Sequence, residues 1–141
     1  MSARVVLRRD DAPPQEQYES LFASTGWNAV YQVTGNDLID CLSRSWCRVS
    51  AYCDNRLVGA GRLLSDGVLY AVMFDVVVLP EYQHRGIGTS IVRDLLNRCH
   101  DSGIRDILLF SAKGTEAFYR RFGFSPRPAN APGMILRRAP A

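Results

Sequence analysis

The apolar positions of the chain change spacing several times, and each change predicts an element. Val5, Val6 and Leu7 alternate weakly within residues 4–9, and Asp10-Asp11-Ala12-Pro13-Pro14 then stops a strand and prepares a helix start. Tyr18, Leu21 and Phe22 recur at three-to-four spacing, which predicts a helix over 15–23 closed by the loop Thr25-Gly26-Trp27-Asn28. A second short helix is predicted over 36–43, with Leu38, Ile39 and Leu42 inward. From Cys47 the period falls to two. Val49, Ala51 and Cys53 alternate up to the turn pair Asp54-Asn55, and residues 57–64 return as the second arm of a hairpin. After the turn Ser65-Asp66-Gly67, residues 68–79 are almost continuously apolar, as in a central strand buried on both faces. Asp75 alone interrupts that run.

Beyond Pro80 and a short loop, Ile87, Ile91 and Leu95 adjoin Val92, Leu96 and Cys99 in two stripes, which predicts an amphipathic helix over 86–100 ended by Gly103. A buried strand over 104–111, a short helix over 115–122 ended by Gly123, and a Pro-rich final strand or strand pair over 124–138 complete the chain. The order is β-α-α-β-β-β-α-β-α-β. The strand, helix and strand from 68 to 111 form a βαβ crossover whose strands run parallel, so the class is α/β with a mixed sheet.

At 141 residues the chain is read as one domain over 1–141, since halves would each have a marginal core. Apolar residues make up 47% and charged residues 22%, ordinary for a globular protein, and no apolar run approaches the ~20 residues that span a bilayer. No membrane association is expected. The N-terminus has no apolar segment behind its charge, so a cytoplasmic location is expected. Cys41, Cys47, Cys53 and Cys99 lack metal-ligand spacing and histidine neighbours, so no metal site and no disulfide framework is expected. Cys53, beside a turn, and Cys99, on the apolar stripe, have no histidine to support a covalent acyl-cysteine. His100 reads as a C-terminal helix cation. The net charge of +3 is too small to imply a nucleic-acid partner, yet it suits a polyanionic cofactor if the arginines cluster.

The stretch from Leu79 to Gly88 joins a buried strand to a helix N-terminus and holds Gly86 and Gly88 two residues apart. First-turn N–H groups lack intrahelical partners, the helix dipole favours an anion, and glycine admits a phosphate close to the backbone. Arg85 and His84 add side-chain donors. The run from Asp75 to Gly88 resembles the acyl-CoA signature of the GCN5-related N-acetyltransferases (GNAT), Q/R-x-x-G-x-G/A after a strand, with Gln83, Gly86 and Gly88 at its defined positions. Ala117-Phe118-Tyr119-Arg120-Arg121-Phe122-Gly123-Phe124 is similar to the family's second motif, in the family's order and spacing.

The resemblance implies a central mixed sheet of six to seven strands flanked by about four helices, with a splayed βαβ acyl-CoA site. It implies that Val76, Val77 and Val78 offer backbone groups to the acetyl carbonyl and pantetheine arm of acetyl-CoA. Arg85, Gly86, Ile87, Gly88 and Thr89 would cradle the pyrophosphate. Ser111 stands where many members carry asparagine, and its hydroxyl could still reach the pantetheine. The activity implied is acetyl transfer from acetyl-CoA to a primary amine in a ternary complex, with Tyr119 as the general acid at the departing thiolate. Aromatic packing against Phe118 and Phe122 is the structural alternative for Tyr119.

Asp75, desolvated in its strand, would have a raised pKa suited to taking or relaying an amine proton; a structural hydrogen bond is the alternative. Asp66 is a second acid for the acceptor, or a turn cap. Trp27 and Tyr31 could wall the acceptor pocket, or Trp27 could cover the sheet edge. The acceptor expected is a small-molecule amine, with a protein lysine or N-terminal amine as the alternative. A non-catalytic acyl-CoA-binding sensor is the reading from another class. The final strands and Pro-rich tail could pair across a homodimer.

Overall fold

The computed structural model describes residues 4–139. They fall into two compact units, a larger one ending at Leu109 and a smaller one beginning at Phe110.

The larger unit is organised by its hairpin. Strands β2 (Cys47–Cys53) and β3 (Arg56–Ser65) meet at Asp54 and Asn55, whose φ of 49° and 66° give the two-residue turn that matches the twist of the strands. Strand β1 (Val5–Arg9) pairs antiparallel with β2, and β4 (Tyr70–Val78) antiparallel with β3. Strand β5 (Asp106–Leu109) pairs parallel with β4 after a helical crossover, giving a five-stranded mixed sheet ordered β1-β2-β3-β4-β5. Helices α1 (Gln15–Ala23), α2 (Asn28–Tyr31) and α3 (Gly35–Ser43) lie between β1 and β2, and α4 (Ile87–Asp101) lies between β4 and β5.

Helix α4 buries Ile87, Ile91, Val92, Leu95 and Cys99 against β2, β3 and β4. Its close approach depends on glycine in β3. A Cβ on Gly61 would stand 2.9 Å from Ile91 Cγ2 and 3.0 Å from Leu95 Cδ1, inside van der Waals contact. Side chains alternate along a strand, so Arg62, next to Gly61, projects to the opposite face, where α1 packs on β3 and β4. Helix α3 is held by a capping box: Thr34 Oγ1 accepts the Asp37 N–H at 3.1 Å, and Asp37 Oδ2 accepts the Thr34 N–H at 2.9 Å.

The smaller unit contains α5 (Glu116–Arg120), ringed by edge-to-face aromatic pairs. Three expectations are corrected. Residues 124–138 form no strand, so the sheet has five strands among the described residues rather than six or seven. Pro126, Pro128 and Pro132 have no N–H to give a ladder, and Ala131 N–H instead closes a turn onto Pro128 O at 2.9 Å. The strand expected over 104–111 spans only Asp106–Leu109, leaving Ser111 exposed beyond its end. Asn28, expected to end the loop 25–28, instead opens the helix α2, and its side chain bonds both the N–H and the C=O of Val33 just beyond that helix. Among the described residues no helix is long and apolar enough to cross a membrane.

Candidate functional site

Strand β4 changes character halfway along. Ala71 to Met73 are paired with β3 on one side and β5 on the other, whereas Phe74 to Val78 continue past the end of β5 with β3 alone as partner. The second half also carries a bulge. The register steps from Ala60↔Val77 to Arg62↔Phe74, so Gly61 opposes both Asp75 and Val76, and Asp75 takes a φ of 55°. Leu79 N–H then bonds Val58 O at 2.8 Å, pinning the strand's exit.

From that exit the 3₁₀ turn Pro80–Tyr82 leads into Gln83, whose side-chain amide donates back to Val78 O at 3.0 Å. His84 and Gly86 both have positive φ, 63° and 80°. A left-handed non-glycine residue costs on the order of 1 kcal/mol, and such strain gathers at functional loops. Gln83, His84, Arg85 and Gly86 are exposed, and the Arg85 guanidinium lies 5.1 Å over the Tyr82 ring. No side chain caps α4, and its first α-helical bond runs from Ser90 N–H to Gly86 O at 3.0 Å. The N–H groups of Ile87, Gly88 and Thr89 therefore have no intrahelical acceptor. A Cβ on Gly86 would meet nothing within 4 Å, so the loop is open where an anion would approach.

Asp75 is not the lone carboxylate that the apolar run suggested. Arg62 Nε donates to its Oδ2 at 2.8 Å in a half-buried ion pair, and the guanidinium also lies 5.6 Å over the Phe74 ring. Tyr18 of α1 is buried close by. Desolvation first, and then the Asp75 charge, push its phenol far above the ordinary tyrosine range, with Arg62 opposing. Arg62 and Tyr18 are thus site residues that pattern reading passed over. Arg62 had a signal, being the one charge in the run from Leu57 to Leu64, as Asp75 is in β4.

Asp66 caps its turn. Its Oδ1 accepts N–H bonds from Val68, Leu69 and Tyr70 at 2.8, 2.8 and 3.2 Å, and the Val68 and Leu69 bonds foremost hold its pKa below the ordinary carboxylate value. Trp27 is half-buried, edge-on to Phe22 with ring centroids 5.9 Å apart, and Tyr31 is half exposed. In the smaller unit, Tyr119 sits between Phe118 and Phe124, with centroids 5.0 and 6.0 Å away, and burial raises its phenol pKa.

The sequence profile described as the Acetyltransferase (GNAT) family matches residues 7–124. The chain belongs to the GNAT family. Among relatives, it is 34% identical over 84 residues to a rice (Oryza sativa subsp. japonica) protein named serotonin N-acetyltransferase 2, chloroplastic, covering 60% of this chain and 42% of that one. It is 35% identical over 80 residues to a Glycine max protein named histone acetyltransferase TAP1, covering 57% of this chain and 35% of that one. This GNAT chain thus spans less than half the length of either relative. Its fold superimposes with a TM-score of 0.84 on a probable acetyltransferase of unknown function from Meticillin-Resistant Staphylococcus aureus, at 24% identity and over 96% of this chain and 100% of that one. The family resemblance of the Gln83-to-Gly88 signature is thereby matched across most of the GNAT fold.

Proposed function

We propose that the chain transfers the acetyl group of acetyl-CoA to a primary amine of a small molecule, by direct attack in a ternary complex. The observation that carries this reading is the continuity from a strand half that keeps only β3 as its partner to an open helix N-terminus. Val76, Val77 and Val78 lie where β4 has lost its β5 partner, and the uncapped N–H groups of Ile87, Gly88 and Thr89 follow a glycine with room around it. A pyrophosphate needs such donors and such room. Arg85 and His84, exposed on the same loop, add cationic and polar donors.

In the reaction the neutral amine nitrogen adds to the thioester carbonyl carbon, the C–N bond forms, the C–S bond breaks, and the thiolate leaves as thiol once protonated. Tyr119 is assigned the proton donation, because its raised pKa keeps the phenol protonated at neutral pH. Asp75 is assigned the proton that the acceptor nitrogen gives up, which it takes or relays as the C–N bond forms. The Arg62 bond engages Oδ2, so Oδ1 is the oxygen offered to the amine. The half-buried depth of that carboxylate suits a compact acceptor better than a surface lysine, and the rice relative's name agrees. The soybean relative's name favours a protein amine, which is the second reading.

The test is thiol release from acetyl-CoA against arylalkylamines, polyamines, amino sugars and lysine peptides, with calorimetric titration of acetyl-CoA on the same sample. Release with one small amine class and none with peptides is expected. Release with peptides alone moves the acceptor to protein, binding without release turns the chain into an acyl-CoA sensor, and absence of binding removes the loop assignment.

A further inference from the structure

Every enclosed side-chain nitrogen and oxygen of the described residues has a hydrogen-bond partner. Two donors around Asp75 lack one, so neither can be fully enclosed. Tyr18 is only 4% exposed, and its hydroxyl lies near Asp75 without a hydrogen bond to it or to any other described residue. Burial holds that phenol in its protonated form, so it is a donor at neutral pH. Arg62 gives Nε to Asp75 Oδ2 at 2.8 Å and Nη1 to Ser45 Oγ at a long 3.5 Å, which leaves Nη2 with no acceptor among the described residues. The Tyr18 hydroxyl and Arg62 Nη2 therefore each reach open space. Helix α1 packs on β3 and β4, so both donors stand beside Asp75 on the face of the sheet opposite α4.

Donors outnumber acceptors in that space. A guanidinium has five N–H groups and a phenol one O–H, whereas Asp75 keeps only Oδ1 unengaged by Arg62. A donor withdrawn from bulk water is unfavourable until it finds an acceptor, so the surplus calls for a ligand that brings oxygens. Charge points the same way. Arg62 already neutralises Asp75 in a half-buried pair, so an acceptor whose only charge is an ammonium meets no net attraction there. An acceptor that also carries an acid finds a partner for each group.

We propose that the acceptor is an amino acid, its carboxylate held by Arg62 Nη2 and the Tyr18 hydroxyl while its amine faces Asp75 Oδ1. The assignment rests on the acetyl-transfer reading with Asp75 at the acceptor amine, and narrows it to a zwitterionic substrate. A planar guanidinium can serve two carboxylates at once, Asp75 through Nε and the substrate through its terminal nitrogens, and the Phe74 ring 5.6 Å beneath keeps its plane in place. The amine nitrogen, neutral when it attacks, forms the C–N bond and passes its proton to Asp75. The C–S bond breaks, the electron pair leaves on sulfur, and Tyr119 protonates it, giving an N-acetyl amino acid and CoA. Tyr18 and Arg62 touch the carboxylate rather than the reacting atoms, so they govern which acceptor binds.

The test compares matched pairs by thiol release from acetyl-CoA: phenylalanine with phenylethylamine, tryptophan with tryptamine, alanine with ethylamine. In at least one pair the amino acid should exceed its amine tenfold or more in kcat/KM, and its methyl ester should fall to the level of the amine. Tyr18→Phe, which removes one oxygen and keeps the ring, should raise KM for the amino acid at least fivefold more than KM for the amine, acting on KM rather than kcat. Arg62→Lys keeps the charge but loses the fork, and should erase the preference. Release with amines and esters as fast as with amino acids, or a preference that both variants retain, overturns the amino-acid assignment and leaves acetyl transfer standing. Binding of acetyl-CoA without release to any member of the panel overturns the acetyl-transfer reading itself, and the assignment with it.

Discussion

Arg62 and Asp75 show how two residues can each look anomalous in sequence and explain one another in space. Asp75 is the one charge in β4 and Arg62 the one charge in the run from Leu57 to Leu64 of β3, and the hairpin between them, with its bulge, brings the guanidinium within 2.8 Å of the carboxylate. Asp75 was legible as exceptional, but its partner was not, because the bulge adds a residue to β4 and shifts the register that a simple count from the turn would give. Removing one member of a shielded pair leaves the other desolvated without compensation, which costs more than the pair contributes. Arg62→Gln is therefore expected to lower stability by about 1–3 kcal/mol in urea unfolding. Replacing Arg62 and Asp75 together should cost less than the sum of the two single changes, and strict additivity would show that the pair is not coupled. At Tyr119 the raised pKa and the motif point the same way. Tyr119→Phe should lower turnover by roughly two orders of magnitude or more while leaving acetyl-CoA affinity unchanged, as when a transition-state proton donor is lost. An equal loss in affinity would make Tyr119 a packing residue among Phe118 and Phe124.

Among the elements, α4 and β4 were the most legible, and for a physical reason. Burial on one helix face and on both strand faces imposes a pattern that survives without knowledge of neighbours, as Ile87, Ile91, Val92, Leu95 and Cys99 show. The second half of β4 was legible only through the family resemblance, because a strand paired on one side and a strand paired on both can have the same apolar content. The tail misled for a related reason: Phe124, Met134, Ile135 and Leu136 have strand-like character, but three prolines between or beside them remove donors that a ladder needs. Two glycines separate the roles of α4. Gly61 makes room for its packing, so Gly61→Ala should force Ile91 and Leu95 aside and destabilise the fold by about 1–3 kcal/mol, with acetyl-CoA affinity of the folded fraction little changed. Gly86 has space around it and a φ of 80°, so Gly86→Val should combine backbone strain with a side chain at the anion's approach. Its main effect should be weaker acetyl-CoA binding by calorimetry. If Gly86→Val bound as tightly as wild type, the loop would not be the phosphate site.

Over the whole molecule, the groups whose proton affinity folding changes most are weak acids that burial keeps neutral. Desolvation pushes the Cys47 thiol up to about 11 and raises Cys99, and it likewise raises Tyr18, Tyr119 and Tyr52, the last to about 12 with help from its hydrogen bond to Asp11. Each of these has a folded pKa above its unfolded value, so the folded state holds more protons at alkaline pH. Stability then falls as pH rises, because the slope follows the difference in protons bound by the unfolded and folded states. Below the unfolded thiol value of about 8.5 both states are protonated at these sites and their contribution is fully present. The loss should begin near pH 8.5–9 with the thiols and steepen above about pH 10, where unfolded tyrosines ionise. Urea midpoints measured from pH 7 to 11 should trace that two-stage decline, and Tyr52→Phe, which cannot ionise, should flatten its upper stage. The same experiment separates chemistry from folding: between pH 7 and 8.5 these groups leave stability level, so a change in turnover there belongs to the acceptor amine and its proton acceptor rather than to loss of the fold.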